Sequence, residues 1–170
     1  VLLKASLFLE ADMKMELRYE DVVLTSTENR TACVWPYPNH IHGCPNYGLQ
    51  STCPPFHPLF QQLFHPSRPL FAFVQPFNLE EHMKRMWYKH PAWTRRQLAN
   101  CLYWQPTQRK TLKWEIRSFL RENVVKDPIE PVVDYRPEAG GVDVTATMKK
   151  IGVNLEWPPE HMVYLVALVG

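Results

Sequence analysis

The chain has 170 residues, 45% of them hydrophobic, and a formal net charge of +2. That length suits one compact domain over 1–170, burying roughly 70% of the surface its unfolded chain exposes. No run of about 18 uninterrupted apolar residues occurs, which excludes a membrane-spanning helix. The overall charge is too close to zero to indicate a partner, although its distribution is uneven.

The opening stretch VLLKASLFLEA is apolar but broken by Lys4 and Glu10. It lacks the basic leader and small-residue cleavage site of a secretory signal, so a first strand or short helix and a cytoplasmic, reducing setting are expected. Within 15–27 the β-branched run Val22 to Thr27 predicts a strand, with a turn at Glu28-Asn29-Arg30. Nine of the sixteen prolines lie between Pro36 and Pro76. Proline fixes φ and lacks an N–H donor, so this stretch cannot be regular helix or central strand. Interleaved aromatics (Trp35, Tyr37, Tyr47, Phe56, Phe60, Phe64) point to an ordered irregular loop rather than disorder.

Leu59 to Phe64 has the spacing of a helical turn, and Leu70 to Val74 reads as a buried strand. Asn78 is a good N-cap for a helix from Leu79 to about Lys89, with Glu80 and Glu81 beside the positive end of its dipole. Thr94 opens a second helix through Tyr103 or Trp104. Pro106 sits in the first turn of a third, reaching about Glu122, with Leu112, Ile116, Phe119 and Leu120 on one face. Asp127 to Pro137 is a connection with a short strand at Val132-Val133. Val142 to Ile151 reads as a helix closed by Gly152. Met162 to Val169, apolar throughout, predicts a strand covered on both faces. Interleaved strands and helices give an α/β or α+β class: a short, mostly buried sheet packed by about four helices.

The chemistry-bearing segment is the proline-rich loop 33–58. It holds Cys33, Cys44 and Cys53, two of them followed by proline; the remaining cysteine, Cys101, lies among Leu98, Leu102 and Trp104. Buried thiols acting as small hydrophobes would suit Cys101, but suit the other three poorly among prolines, glycines and histidines. Disulfides lack a secretory context. Zinc sites favour short C-x2-4-C knuckles, absent here, although His40, His42, His57 and His65 could supply nitrogen. Iron–sulfur sites accept wider spacing and often have proline beside a ligand cysteine. Gly43 and Gly48 permit tight turns that could aim backbone N–H groups at sulfur. A 4Fe-4S cluster on Cys33, Cys44, Cys53 and Cys101 is therefore the first expectation, and zinc the second. With Cys101 as fourth ligand the centre is closed; with three thiolates one iron keeps an exchangeable position.

Cys44-Pro45-Asn46-Tyr47-Gly48 followed by Cys53-Pro54-Pro55 resembles the motif of a small prokaryotic family of predicted metal-binding proteins of unknown function. Pro137-Glu138-Ala139-Gly140-Gly141-Val142-Asp143-Val144 resembles that family's second motif, P-E-x-x-G-x-D-V before a helix. The likeness covers most of the chain from about residue 30, and it implies metal or iron–sulfur binding without naming a reaction. The chain departs from the pattern twice. Cys33 lies eleven residues upstream of Cys44, where the family places its first cysteine only a few residues before. Tyr135 and Arg136 also stand where the family tends to carry a cysteine ahead of the P-E motif.

Segment 79–122 carries the uneven charge. Ten Lys/Arg residues fall between Lys84 and Arg121, opposed within that span only by Glu115, and the rest of the chain is net acidic. Arg109, Lys110, Lys113 and Arg117 are the anion-binding candidates, with Trp87, Tyr88, Trp93, Tyr103, Trp104 and Trp114 interleaved. A solvated helix face is the plain interpretation. The functional one is a surface for RNA or an anionic small molecule, since cations neutralise phosphates and aromatics stack on unpaired bases. Asp143 suits a helix start better than catalysis. Tyr47 could donate to a substrate or to sulfur. No motif of serine hydrolases, P-loop NTPases, dinucleotide-binding proteins or zincins occurs. Together these features suggest an iron–sulfur enzyme or accessory factor acting on a nucleotide or RNA, with sulfur insertion or removal as fitting chemistry. The alternative is a non-catalytic binding protein whose loop is fixed by zinc or a closed cluster.

Overall fold

The structure, a computed structural model, describes residues 13–25, 30, 33–34, 36, 41–45, 47–123, 130–156 and 159–170. The expected first strand or helix in residues 1–11, Glu28, Asn29, Trp35, Tyr37, His40, Asn46 and Asp127 lie outside them.

Among the described residues, four antiparallel strands form one sheet: β1 (Met13–Leu17), β2 (Leu70–Asn78), β3 (Val133–Asp134) and β4 (Met162–Val169), in the order β1-β2-β4-β3. The helices are α1 (Phe60–Leu63), α2 (Leu79–Lys89), α3 (Arg95–Leu98), α4 (Gln105–Asn123) and α5 (Val144–Lys150). The fold is thus of the mixed class, with an antiparallel sheet. β4 pairs with both β2 and β3, which explains its unbroken apolar sequence.

Alternation along the strands divides the core in two. Leu17, Leu70, Ala72, Val74 and Leu168 face α1 and α5, packing on Phe60, Phe64, Val142 and Met148. Phe73, Ala167 and Val169 face the other way, onto Leu112 and Ile116 of α4. Phe60 and Ile116 are fully buried, one on each side.

Several boundaries differ from expectation. The first described strand is Met13–Leu17, where Lys14 and Glu16 alternate with Met15 and Leu17. Among the described residues the β-branched run after it makes an isolated bridge, Leu24 to Val142, rather than a strand; Thr25 N–H donates to the Gly141 carbonyl, the Val23 carbonyl accepts from Asp143 N–H, and Thr147 Oγ1 accepts from Val23 N–H. β2 runs through Pro76, which sits opposite Tyr164. Among the described residues β1 pairs only with 70–74, so Pro76 interrupts no ladder on that side.

The helix expected from Thr94 to Trp104 stops at Leu98. Thr94 and Gln97 form a capping box, but Asn100 then accepts from Leu102 N–H and starts a separate 3-10 turn, Cys101–Tyr103. α2 and its Asn78 cap match the sequence-based boundaries, Asn78 accepting from Glu81 N–H. Asp143 is the N-cap of α5, accepting from Ala146 N–H at 2.8 Å. No described helix is long and apolar enough to cross a membrane.

Candidate metal centre

The segments 53–58 and 134–140 meet in space at the β3 edge of the sheet. Arg30 joins them. Its Nε donates to the Ala139 carbonyl at 3.0 Å, and its Nη2 donates to the carbonyls of Pro55 and His57. His57 is the second tie: Nε2 lies 3.1 Å from Asp134 Oδ1, and both side chains are buried. His57 Nδ1 lies 2.8 Å from the Pro58 carbonyl. Arg136 N–H donates to the same Asp134 oxygen at 2.8 Å. Close packing completes the junction: a Cβ on Gly140 would lie 3.3 Å from both Phe60 N and the Pro58 carbonyl oxygen.

The cysteine loop is folded over this junction. Gly43 has φ +80°, and a Cβ there would lie 2.5 Å from the Cys33 carbonyl oxygen. Its missing side chain lets Cys44 N–H donate to that carbonyl, drawing residues 33 and 44 together. Gly48 N–H donates to the Pro54 carbonyl, and the Cys53 carbonyl accepts from His57 N–H. Cys53 is buried, while Cys33 and Cys44 are half-buried; all three are free thiols.

The three thiols share one electrostatic neighbourhood. Burial pushes the Cys33 thiol up, and Cys44, Cys53 and Glu138 push it the same way. Arg136 Nη1 donates to Cys53 Sγ at 3.0 Å. Glu138 keeps contact with solvent, yet the surrounding protein removes enough water to push its carboxyl up. The charge of Asp134 adds to that rise, and Arg136 and His57 oppose it. Among the described residues, no three His, Cys, Asp or Glu side chains are grouped so as to hold a metal ion.

Cys101 is not brought to this site. It is exposed on the 3-10 turn before α4. That turn ends at Trp104, which stacks on Phe77 with ring centroids 4.5 Å apart. Phe77 is opposite Val163, whereas Asp134 is opposite Leu168. At about 3.3 Å per residue the two positions are roughly 17 Å apart along β4. They also differ in face: Phe77 shares strand parity with Phe73 on the α4 side, and Asp134 shares that of Leu168 on the α5 side. His42 is exposed. His65 is bound to Ser67, its Nδ1 2.7 Å from Ser67 Oγ, and Tyr47 is half-buried in the loop.

Arg109, Lys110, Lys113 and Arg117 are all exposed on α4. Lys113 Nζ lies 5.4 Å from the Tyr135 ring centroid, and the charge of Arg117 acts on the Tyr135 hydroxyl, which burial otherwise pushes up. The basic face thus reaches Tyr135, the residue before Arg136. Not all the cations are unopposed: Lys84 pairs with Glu80 and Arg85 with Glu81, one turn back along α2.

Arg30, Asp134 and Arg136 were not singled out as site residues from sequence. Only the position of Arg136, in the stretch where the resembled pattern carries a cysteine, hinted at its place. Comparison of the chain with protein-family models, curated proteins and solved structures found no match.

Proposed function

We propose that the protein binds an iron–sulfur cluster, of the 4Fe-4S type, through Cys33, Cys44 and Cys53, in a reducing compartment such as the cytoplasm. The observation that carries this reading is the Arg136 guanidinium on the Cys53 sulfur, with the other two thiols inside the same electrostatic neighbourhood. A guanidinium is a charged donor and is matched to a sulfur that carries negative charge, as a metal-bound thiolate does. N–H donors to ligand sulfur are also the usual outer-shell feature of such clusters.

The donor set fits a cluster better than a single zinc ion. Zinc sites favour short C-x2-4-C knuckles, which the loop lacks, whereas the wide spacing of Cys33, Cys44 and Cys53 with prolines beside two of them suits a cluster. In the pattern that the chain resembles, a further cysteine precedes the P-E motif; here Arg136 stands in that stretch, beside Cys53. With Cys101 placed elsewhere, the set is three thiolates.

When bound, such a cluster would supply an iron with an exchangeable position, able to act as a Lewis acid. The chain's own residues shape what reaches it. Arg136 holds the Cys53 sulfur and Glu138 offers a carboxyl near Cys33, and the exposed cations of α4, Lys113 and Arg117 among them, offer a surface suited to anions such as a nucleotide or RNA.

Purification without oxygen, followed by visible spectroscopy of cysteine variants, tests the reading. Wild type and Cys101→Ser are expected to be equally brown, with Cys33→Ser, Cys44→Ser and Cys53→Ser each bleached. Loss of colour in Cys101→Ser alone would overturn the assignment, as would a colourless wild type carrying stoichiometric zinc.

A further inference from the structure

The outward face of α4 is a stripe of cations with one exposed tryptophan set in it. At 100° per residue, Lys110, Lys113, Trp114, Arg117 and Arg121 fall within an arc of about 100°, away from Leu112 and Ile116, which enter the core. All five are exposed, and 65% of Trp114 remains accessible. The stripe is about 17 Å long at 1.5 Å rise per residue.

Two facts set it apart from an ordinary solvated face. Among the described residues, no carboxylate pairs with any of these four cations, whereas Lys84 and Arg85 on α2 are each matched to a glutamate. And Trp114 is left outside although the same helix buries Leu112 and Ile116, with Phe119 packed against them. Leaving so large an apolar ring in water forgoes a substantial burial gain. A cation stripe around an unstacked indole suits a ligand with phosphates and a flat apolar surface. A nucleic-acid strand with unpaired bases has both. A duplex hides its base faces, and a simple polyanion has none.

We infer that α4 is a binding surface for single-stranded nucleic acid, with Lys110, Lys113, Arg117 and Arg121 meeting phosphates and Trp114 stacking on a base. The stripe reaches Tyr135 through Lys113 and Arg117, and Tyr135 adjoins Arg136 at Cys53. The inference goes beyond the cluster reading and does not depend on it.

The test is fluorescence anisotropy of a labelled, unstructured oligoribonucleotide with the full chain at several salt concentrations, and the same with its DNA counterpart. About four phosphates engaged, one for each cation, give a log–log salt slope near −2.8. Lys113→Gln with Arg117→Gln is expected to weaken binding at low salt and reduce the slope by about 1 to 1.5. Trp114→Ala is expected to weaken binding about tenfold at unchanged slope. Lys149→Gln with Lys150→Gln, on the exposed end of α5, is expected to change neither. RNA and DNA strands that bind alike support a surface that reads phosphate and base stacking; a preference for RNA adds recognition of the 2′-hydroxyl.

Three results would overturn the inference. One is a salt slope that the α4 pair leaves unchanged. Another is no effect of Trp114→Ala, or inorganic polyphosphate competing as well as the strand, since either removes the base contact. The third is a duplex bound as tightly as the single strand. Wild-type protein stripped of any bound iron by a chelator should bind the strand as untreated protein does, so failure of the cluster and failure of the surface are read separately.

Discussion

Removing the Asp134 carboxylate should loosen the junction that supports the cysteine loop. Asp134 is 3% exposed and His57 8%. Oδ1 of Asp134 receives both the His57 ring, at 3.1 Å, and the Arg136 N–H, at 2.8 Å. Asp134→Ala strands both groups in the interior. Truncating one partner of a buried pair costs about 3–5 kcal/mol, and about 1–3 kcal/mol attaches to each polar group left without a partner. Because Oδ2 already lacks a partner among the described residues, the carboxylate is incompletely satisfied, and the lower figure of about 3 kcal/mol is expected. With an unfolding entropy of about 2.1 cal/mol/K per residue, that lowers Tm by roughly 8 °C.

Urea unfolding should show a lower midpoint at unchanged slope. Asp134→Asn keeps an acceptor for the Arg136 N–H and should cost only about 1 kcal/mol. The double variant His57→Leu with Asp134→Leu removes both partners together and should recover much of the loss. Because His57 N–H also holds the Cys53 carbonyl, Asp134→Ala should speed labelling of Cys53 by a thiol reagent. A midpoint shift worth less than about 1 kcal/mol, with Cys53 still protected, would refute the claim that this pair pins the loop.

Two further outcomes follow from single residues. Gly43→Ala meets both a φ of +80° and a contact of 2.5 Å with the Cys33 carbonyl oxygen. It should separate Cys33 from Cys44 and reduce iron retained per chain, while moving the urea midpoint little because Gly43 belongs to neither core cluster; full iron content would contradict this. Glu156 gives an acid-sensitive contribution. Desolvation raises its carboxyl, but N–H donors from His161, Met162 and Glu160 outweigh it and hold the group at about 2, against an ordinary 4.5. A depressed folded value stabilises above the unfolded one and is lost as pH falls from about 5 toward 2. After allowance for its partial exposure to solvent, Glu156→Gln should therefore cost about 1–2 kcal/mol at neutral pH. That difference should vanish near pH 2 in chemical unfolding, and one that grew on acidification would contradict the assignment.

Local signals placed much of this fold. Asn78 before Leu79, and the apolar run Met162 to Val169, each combine a pattern with a terminator, and both elements match the sequence-based boundaries. Long-range partners were not legible. β-branching favoured a strand at Val22 to Thr27, but the partners of its described residues, 141–143 and Thr147, lie far along the chain and form one bridge rather than a ladder. Asn100 looked like a helical residue until its side chain capped a new turn. The approach of Cys44 to Cys33 follows from a tight turn at Gly43, a residue whose spacing the sequence shows. The place of Cys101 was not legible, because it depends on Trp104 docking on Phe77. Arg30 and Asp134 were invisible for the same reason: each acts through a partner on a distant segment.

The most direct test of the central claim is chemical analysis of iron and acid-labile sulfide in wild-type protein isolated entirely without oxygen. The account predicts about four of each per chain, as a 4Fe-4S cluster requires. Protein that is folded, with Cys33, Cys44 and Cys53 reduced, and that still holds neither iron nor sulfide after anaerobic reconstitution would contradict it.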